Sequence, residues 1–146
     1  MDIRQARATR SGIMPRMSDA PVTHLLLLAT VLASLVALKH PAWLDRGLFR
    51  PARLLPERQW ATVVSSTLLH ADLPHLAFNM ITLWSFGPGL ERRIGAGMFA
   101  LLYAVGMLAS CAGTWWRHHG NPGYASLGAS GAVSAVLFAA IVHEPS

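Results

Sequence analysis

Three stretches of this chain run for about twenty residues with almost no charge: Val22–Leu38, Gly97–Trp116 and Ala125–Val142. A fourth apolar stretch, shorter and more broken, begins at Leu73. Runs approaching 20 apolar residues are long enough to span a bilayer. Inside hydrocarbon every backbone N–H and C=O must find a partner within the protein, which leaves helices or a closed barrel. Continuous runs, rather than alternating ones, select helices. Composition agrees: only 13% of residues are charged and 53% are hydrophobic, with a mean hydropathy of +0.39, where a soluble domain carries about 25% charge. An all-α membrane protein of four helices is therefore expected, at about 20–38, 73–90, 97–116 and 125–142.

The net charge of +5 does not point to nucleic acid. The arginines form no stripe on an amphipathic helix and interleave with no stacking aromatics. They lie in the tail and loops, where anionic lipid headgroups account for them. A single cysteine, Cys111, rules out a disulfide or a multi-cysteine metal site within the chain.

Residues 1–19 read as a polar, arginine-bearing cytoplasmic tail. The run after Pro21 is longer than a signal-peptide core and lacks a small-x-small cleavage site before Lys39, so a retained helix is expected. Residues 39–60 carry prolines at 41, 51 and 56 among scattered large apolar side chains, which reads as an interfacial segment with Trp43 and Trp60 at headgroup depth. Asp72 is placed to cap a helix that admits Pro74 in its first turn. That helix is expected to stop near Gly87-Pro88-Gly89, short for a span unless it continues beyond them. Glu91, Arg92 and Arg93 read as a surface-anchoring charge cluster, and Gly106 and Gly113 as packing residues. Lys and Arg divide six against six between the two faces, so charge does not set the orientation.

The chemistry sits at two places. In Gly128-Ala129-Ser130-Gly131 a serine stands among small residues that leave its hydroxyl uncrowded, just inside a helix whose free N–H groups favour negative charge. Gly131, Ala135 and Ala139 at spacing four also serve plain helix packing. His75 and Asn79, four residues apart, share one face of another helix, and two polar groups inside hydrocarbon need partners or a function. With four spans, residues 70 and 124 fall on one membrane face. His75, Asn79 and Ser130 then lie within one to two turns of the same side. A serine, a histidine and an amide at equal depth suit acyl transfer: the serine attacks a carbonyl while the other two donate to the oxyanion. His70, His118 and His119 have no companion carboxylates at metal spacing, so no metal and no cofactor are expected.

His75-x-x-x-Asn79 paired with Gly128-x-Ser130-Gly131 resembles the rhomboid intramembrane serine proteases over residues 60–142. Glu91, Arg92, Arg93 and Gly95 look like that family's Glu-(Lys/Arg)-Arg-x-Gly turn, and His70 matches a histidine that holds the entrance of its second core helix. The resemblance implies a six-helix bundle of a bacterial inner membrane with a water-filled cavity, of which four helices are present here. It implies Ser130 as nucleophile and His75, Asn79 and the Ser130 N–H, with Gly128 and Gly131, as the oxyanion site. Substrates are single-pass membrane proteins, and neither metal nor cofactor takes part. The sequence departs from the pattern in three ways. The family's general base is a histidine on a sixth helix, and His143 cannot replace it from about 20 Å along its own helix. The polypeptide is accordingly expected to be a truncated portion without peptidase activity. A tryptophan-arginine pair expected at Ala61-Thr62 is missing, and Ser66 stands where the family often has histidine. A non-catalytic module that binds membrane helices, or a small structural subunit, are the competing readings. Binding alone does not require Ser130, and a purely structural subunit does not require a co-facial His75 and Asn79.

Overall fold

The computed structural model describes residues 19–143 and is all-α. The 1–19 tail expectation lies, apart from Asp19, outside the described residues, as do residues 144–146. Among the described residues seven α-helices follow one another: α1 Pro21–Lys39, α2 Pro41–Gly47, α3 Pro51–Leu54, α4 Ala61–Leu68, α5 Leu73–Ile94, α6 Ala96–His118 and α7 Ser130–His143. Among the described residues, α1 and α6 are long and apolar enough to cross a membrane. Helix α5 is long but carries His75, Asn79 and the Glu91-Arg92-Arg93 cluster, and α7 has only 14 residues.

The core forms where α5 and α7 face each other. Leu76, Met80, Leu83 and Leu90 pack against Ala132, Val133, Val136 and Ala140, with Phe99 and Tyr103 of α6 closing the side. Outward-facing Leu25, Phe78, Trp84, Leu101, Trp116 and Phe138 are exposed, as expected of helices whose outer surface meets lipid rather than water.

Helix α5 does not stop at the Gly-Pro-Gly stretch; it runs through Pro88 to Ile94. Gly87, lacking Cβ, relieves part of the clash that a following proline imposes on a helical residue. It also lets α1 approach: a Cβ at Gly87 would lie 2.7 Å from Thr23 Cγ2. The continuation brings Glu91 to the start of α1, and here the expectation of a surface charge cluster is corrected. Glu91 is buried. Its carboxylate accepts from Val22 N (2.9 Å), Thr23 N (2.8 Å) and Thr23 Oγ1 (2.7 Å). Helix α1 has no side-chain cap of its own, so a distant carboxylate satisfies the orphan donors of its first turn and the positive end of its dipole. Gly95, with φ +83°, then turns the chain from α5 into α6, while Arg92 is exposed and Arg93 donates to the carbonyl of His143.

These contacts fix direction. The start of α1 meets the end of α5, and the end of α5 meets the end of α7 through Arg93 and His143. Helices α5 and α7 therefore run parallel and open at the same end. Helix α6 returns in the opposite direction and packs against α7: a Cβ at Gly106 would meet Ala135 Cβ at 2.6 Å, and one at Gly131 would collide with Ser110. Gly106 is the packing residue it was expected to be. Gly113 packs against nothing among the described residues, since no atom beyond its own helix backbone lies within 4 Å of a Cβ built there.

The 39–60 segment contains two short helices, with Trp43 and Trp60 exposed. It lacks the tryptophan-arginine pair and is held by other means. Gly47 lies against Leu69, where a Cβ would collide with Leu69 Cδ1, and its carbonyl accepts from Ser65 Oγ at 3.2 Å. Arg50 pairs with the Asp45 carboxylate. Buried Phe49 exchanges two backbone hydrogen bonds with Ser126, each 3.0 Å, so the segment is joined to the strand-like stretch ahead of α7.

Candidate active site

The last apolar run begins its helix at Ser130, not at Ala125. Residues 125–129 stay out of the helix because their polar backbone groups are claimed elsewhere. Ser126 bridges to Phe49, Gly128 N donates to Ser66 O at 2.8 Å, and Ala129 N donates to His70 Nε2 at 3.4 Å. Gly128 has φ +118°, a backbone that residues with a Cβ rarely adopt. Ser130 emerges from this corner as the first residue of α7 and is exposed, at the helix end whose first amides have no acceptor within the helix itself.

The α5 side of the site starts at Asp72, whose carboxylate accepts from His75 N at 2.7 Å and caps the helix, with Pro74 in the first turn as expected. The cap places the His75 ring directly against the Gly128 corner: a Cβ at Gly128 would lie 2.7 Å from His75 Cε1 and 3.0 Å from Nε2. Asn79 is buried on the same face and donates to the carbonyl of His75 at 2.9 Å. His70, fully buried, meets His75 edge-on with ring centres 4.9 Å apart. Its Nδ1 lies 3.0 Å from Ser34 Oγ on α1. Burial and the neighbouring His75 push the His70 pKa down to about 4, with Asp72 opposing, so its ring is neutral at ordinary pH.

A cavity of about 190 Å³ opens beside Ser130. Gly128, Ser130 and Gly131 line it, together with hydroxyls from Ser66, Thr67, Ser110, Thr114, Tyr124 and Ser126. This hydroxyl lining is what sequence reading missed; Ser110 and Thr114, four apart on α6, were its visible signal. His75 and Asn79 do not line the cavity; His75 lies against the Gly128 backbone, two residues before Ser130, and Asn79 is bonded to the His75 carbonyl. Two larger hollows, of about 310 and 450 Å³, are walled mainly by apolar side chains on the outer faces of α6 and α1.

Every site residue expected from sequence is thus placed. Ser130, Gly128 and Gly131 form the cavity wall, His75 touches Gly128, and Asn79 sits one turn deeper. His70 ties α1 to Ala129. Glu91, Arg93 and Gly95 lie at the opposite end of α5, joining helix ends. The arrangement offers an accessible hydroxyl at a helix start, the first-turn amides of that helix and a polar cavity able to admit water.

Comparison with known proteins agrees with this architecture. A family model described as the Rhomboid domain matches residues 57–146. Rhomboid protease GluP of Bacillus subtilis (strain 168) is 38% identical over 96 residues, covering 62% of this chain and 18% of that protein. The putative rhomboid protease YdcA of the same organism is 36% identical over 75 residues, covering 51% and 37%. Rhomboid protein 1, mitochondrial, of Saccharomyces cerevisiae is 37% identical over 79 residues, covering 52% and 23%. The chain spans at most 37% of the length of these three relatives, and no solved structure matches it significantly. With more than half of its residues matched, and with His75 meeting the Gly128 corner in a bundle of apolar helices, this chain is a membrane protein that belongs to the rhomboid family.

Proposed function

We propose that this chain is the nucleophile-bearing part of an intramembrane serine endopeptidase, corresponding to four of six transmembrane helices and acting in a bacterial inner membrane on single-pass membrane proteins. The observation that carries the reading is the contact of His75 with Gly128, two residues before an exposed Ser130. Ser130 Oγ attacks the scissile carbonyl, and the oxyanion is met by the Ser130 N–H, His75 and Asn79. The Ser130 proton passes to a base and on to the departing amine as the C–N bond breaks. Water entering through the hydroxyl-lined cavity hydrolyses the acyl ester. No metal or cofactor takes part.

Among the described residues no imidazole is hydrogen-bonded to Ser130, and the base this reading requires is the histidine that the family resemblance places on a sixth helix. The described imidazoles that hydrogen-bond do so elsewhere: His24 with Ala20, His70 with Ser34 and Ala129, His119 with Trp115 and His143 with Ala139. A hydroxyl without a placed base is a weak nucleophile, so this reading expects no meaningful peptidase activity from residues 1–146 without that histidine. The same observation favours the second reading, a rhomboid-like module that binds membrane helices without cutting them. A fluorophosphonate probe on the full-length protein in lipid vesicles separates the two. The catalytic reading expects covalent labelling that disappears in Ser130→Ala. Equal labelling of both proteins, or of neither, favours the binding module.

A further inference from the structure

Ser34 lies on α1, nearly a hundred residues before Ser130, yet two hydrogen bonds through His70 connect it to Ala129, the residue before Ser130. The carbonyl of Leu68 can only accept, so the Ser34 hydroxyl donates its one proton there, at 2.9 Å. Ser34 Oγ must then act as acceptor toward His70 Nδ1 at 3.0 Å, and Nδ1 carries the ring proton. A neutral imidazole has one N–H, so Nε2 keeps its lone pair. That lone pair faces the N–H of Ala129 at 3.4 Å. The chain of bonds has one self-consistent assignment. With the proton on Nε2 instead, two N–H groups would confront each other in a place where Ser34, His70 and Ala129 are all 0% exposed, and a buried donor without an acceptor is costly.

We propose that Ser34 is a positioning residue for the Ser130 site: it selects the His70 tautomer that receives the Ala129 amide, and so holds the residue immediately before the nucleophile. Its kinetic consequence rests on the function proposed above, while its structural consequence does not. Ser34→Ala removes the acceptor from Nδ1 and leaves the Ala129 amide alone to hold the ring proton there. Ser34→Thr keeps the hydroxyl.

The test uses the full-length protein in lipid vesicles at neutral pH. Nitrogen-15 NMR of labelled histidine reads the tautomer, and hydrogen–deuterium exchange reads the Ala129 amide. The expected result is an Nδ1–H His70 in the wild type and a mixture of the two tautomers in Ser34→Ala, where either one leaves a buried N–H unpaired. Ala129 exchange and loss of Ser130 labelling rate should each change by about tenfold, the worth of one net hydrogen bond, and Ser34→Thr should restore both. Should Ser34→Ala not fold, His70→Gln, whose amide oxygen reaches the position of Nε2, is expected to keep Ala129 protected; His70→Asn, which reaches only as far as Nδ1, is expected to lose it. An Nε2–H wild type, an Nδ1–H Ser34→Ala protein, or equal protection in the two His70 variants overturns the proposal. A tautomer shift in a protein whose Ser130 never takes the probe supports the relay and overturns the enzymatic reading instead.

Discussion

The His75 imidazole rests on the backbone of Gly128, so closely that a single added methyl group would lie 2.7 Å from its Cε1. The contact joins the capped start of α5 to the corner from which α7 departs.

Gly128→Ala meets two obstacles: the φ of +118° and the His75 ring. Strain of this kind costs roughly 1–3 kcal/mol. The ring or the corner must move, and Ser130 with it, so fluorophosphonate labelling of the full-length protein should fall by about tenfold or more. Wild-type labelling in Gly128→Ala would show that the corner does not depend on this contact.

Glu91→Ala strips the acceptor from Val22 N, Thr23 N and Thr23 Oγ1 at once. Losing a charged cap and stranding buried donors should cost roughly 2–4 kcal/mol. Glu91→Gln, which keeps one acceptor oxygen, should lose less. Unfolding in detergent micelles checks the order of wild type, Gln, Ala. Identical midpoints would remove Glu91 from the structure of α1.

Two glycines on α6 should respond in opposite directions to alanine. At Gly106 the new methyl meets Ala135 at 2.6 Å, and overpacking of this kind costs about 1–3 kcal/mol. At Gly113 it meets nothing within 4 Å, and the gain in helix propensity is on the order of 0.5–1 kcal/mol. The same micelle unfolding assay reads both, and a loss at Gly113 equal to that at Gly106 would contradict the packing described here.

His70 makes stability depend on pH with a definite sign. Its pKa falls from the ordinary 6.5 to about 4 in the folded chain. Between those values the unfolded chain binds more protons than the folded one, so stability rises with pH there. The contribution is complete above about 6.5 and is lost as pH falls toward 4. It amounts to about 3 kcal/mol at most. Unfolding midpoints at pH 7 and pH 5 should differ in the wild type and differ less in His70→Gln; an equal pH effect in both would exclude His70 as its source.

Hydropathy alone made the helical membrane class legible, because a run such as Val22–Leu38 or Gly97–Trp116 has no other way to satisfy its backbone in lipid. The cap at Asp72, the packing at Gly106 and the approach of His75 to the Ser130 segment were also readable. Each follows from spacing along one helix or from counting helices between faces. The end of α5 was not readable, because Gly87-Pro88-Gly89 is locally a helix breaker and only the approach of Thr23 explains its continuation. Nor was Glu91, a charge that looks like a surface residue until the first turn of α1 lies against it.

Local pattern alone marked four apolar segments as helical and put Ser130, His75 and Asn79 near one end of them, since hydrophobic period and chain direction are local properties. The short helices at Pro41–Gly47, Pro51–Leu54 and Ala61–Leu68 were not legible in it. Only the tertiary structure decided that α7 starts at Ser130 rather than Ala125, and that His70 reads Ser34 on one side and Ala129 on the other. Those outcomes depend on hydrogen bonds between residues 36 to 77 positions apart, and no local pattern encodes which distant carbonyl or imidazole will claim a given amide.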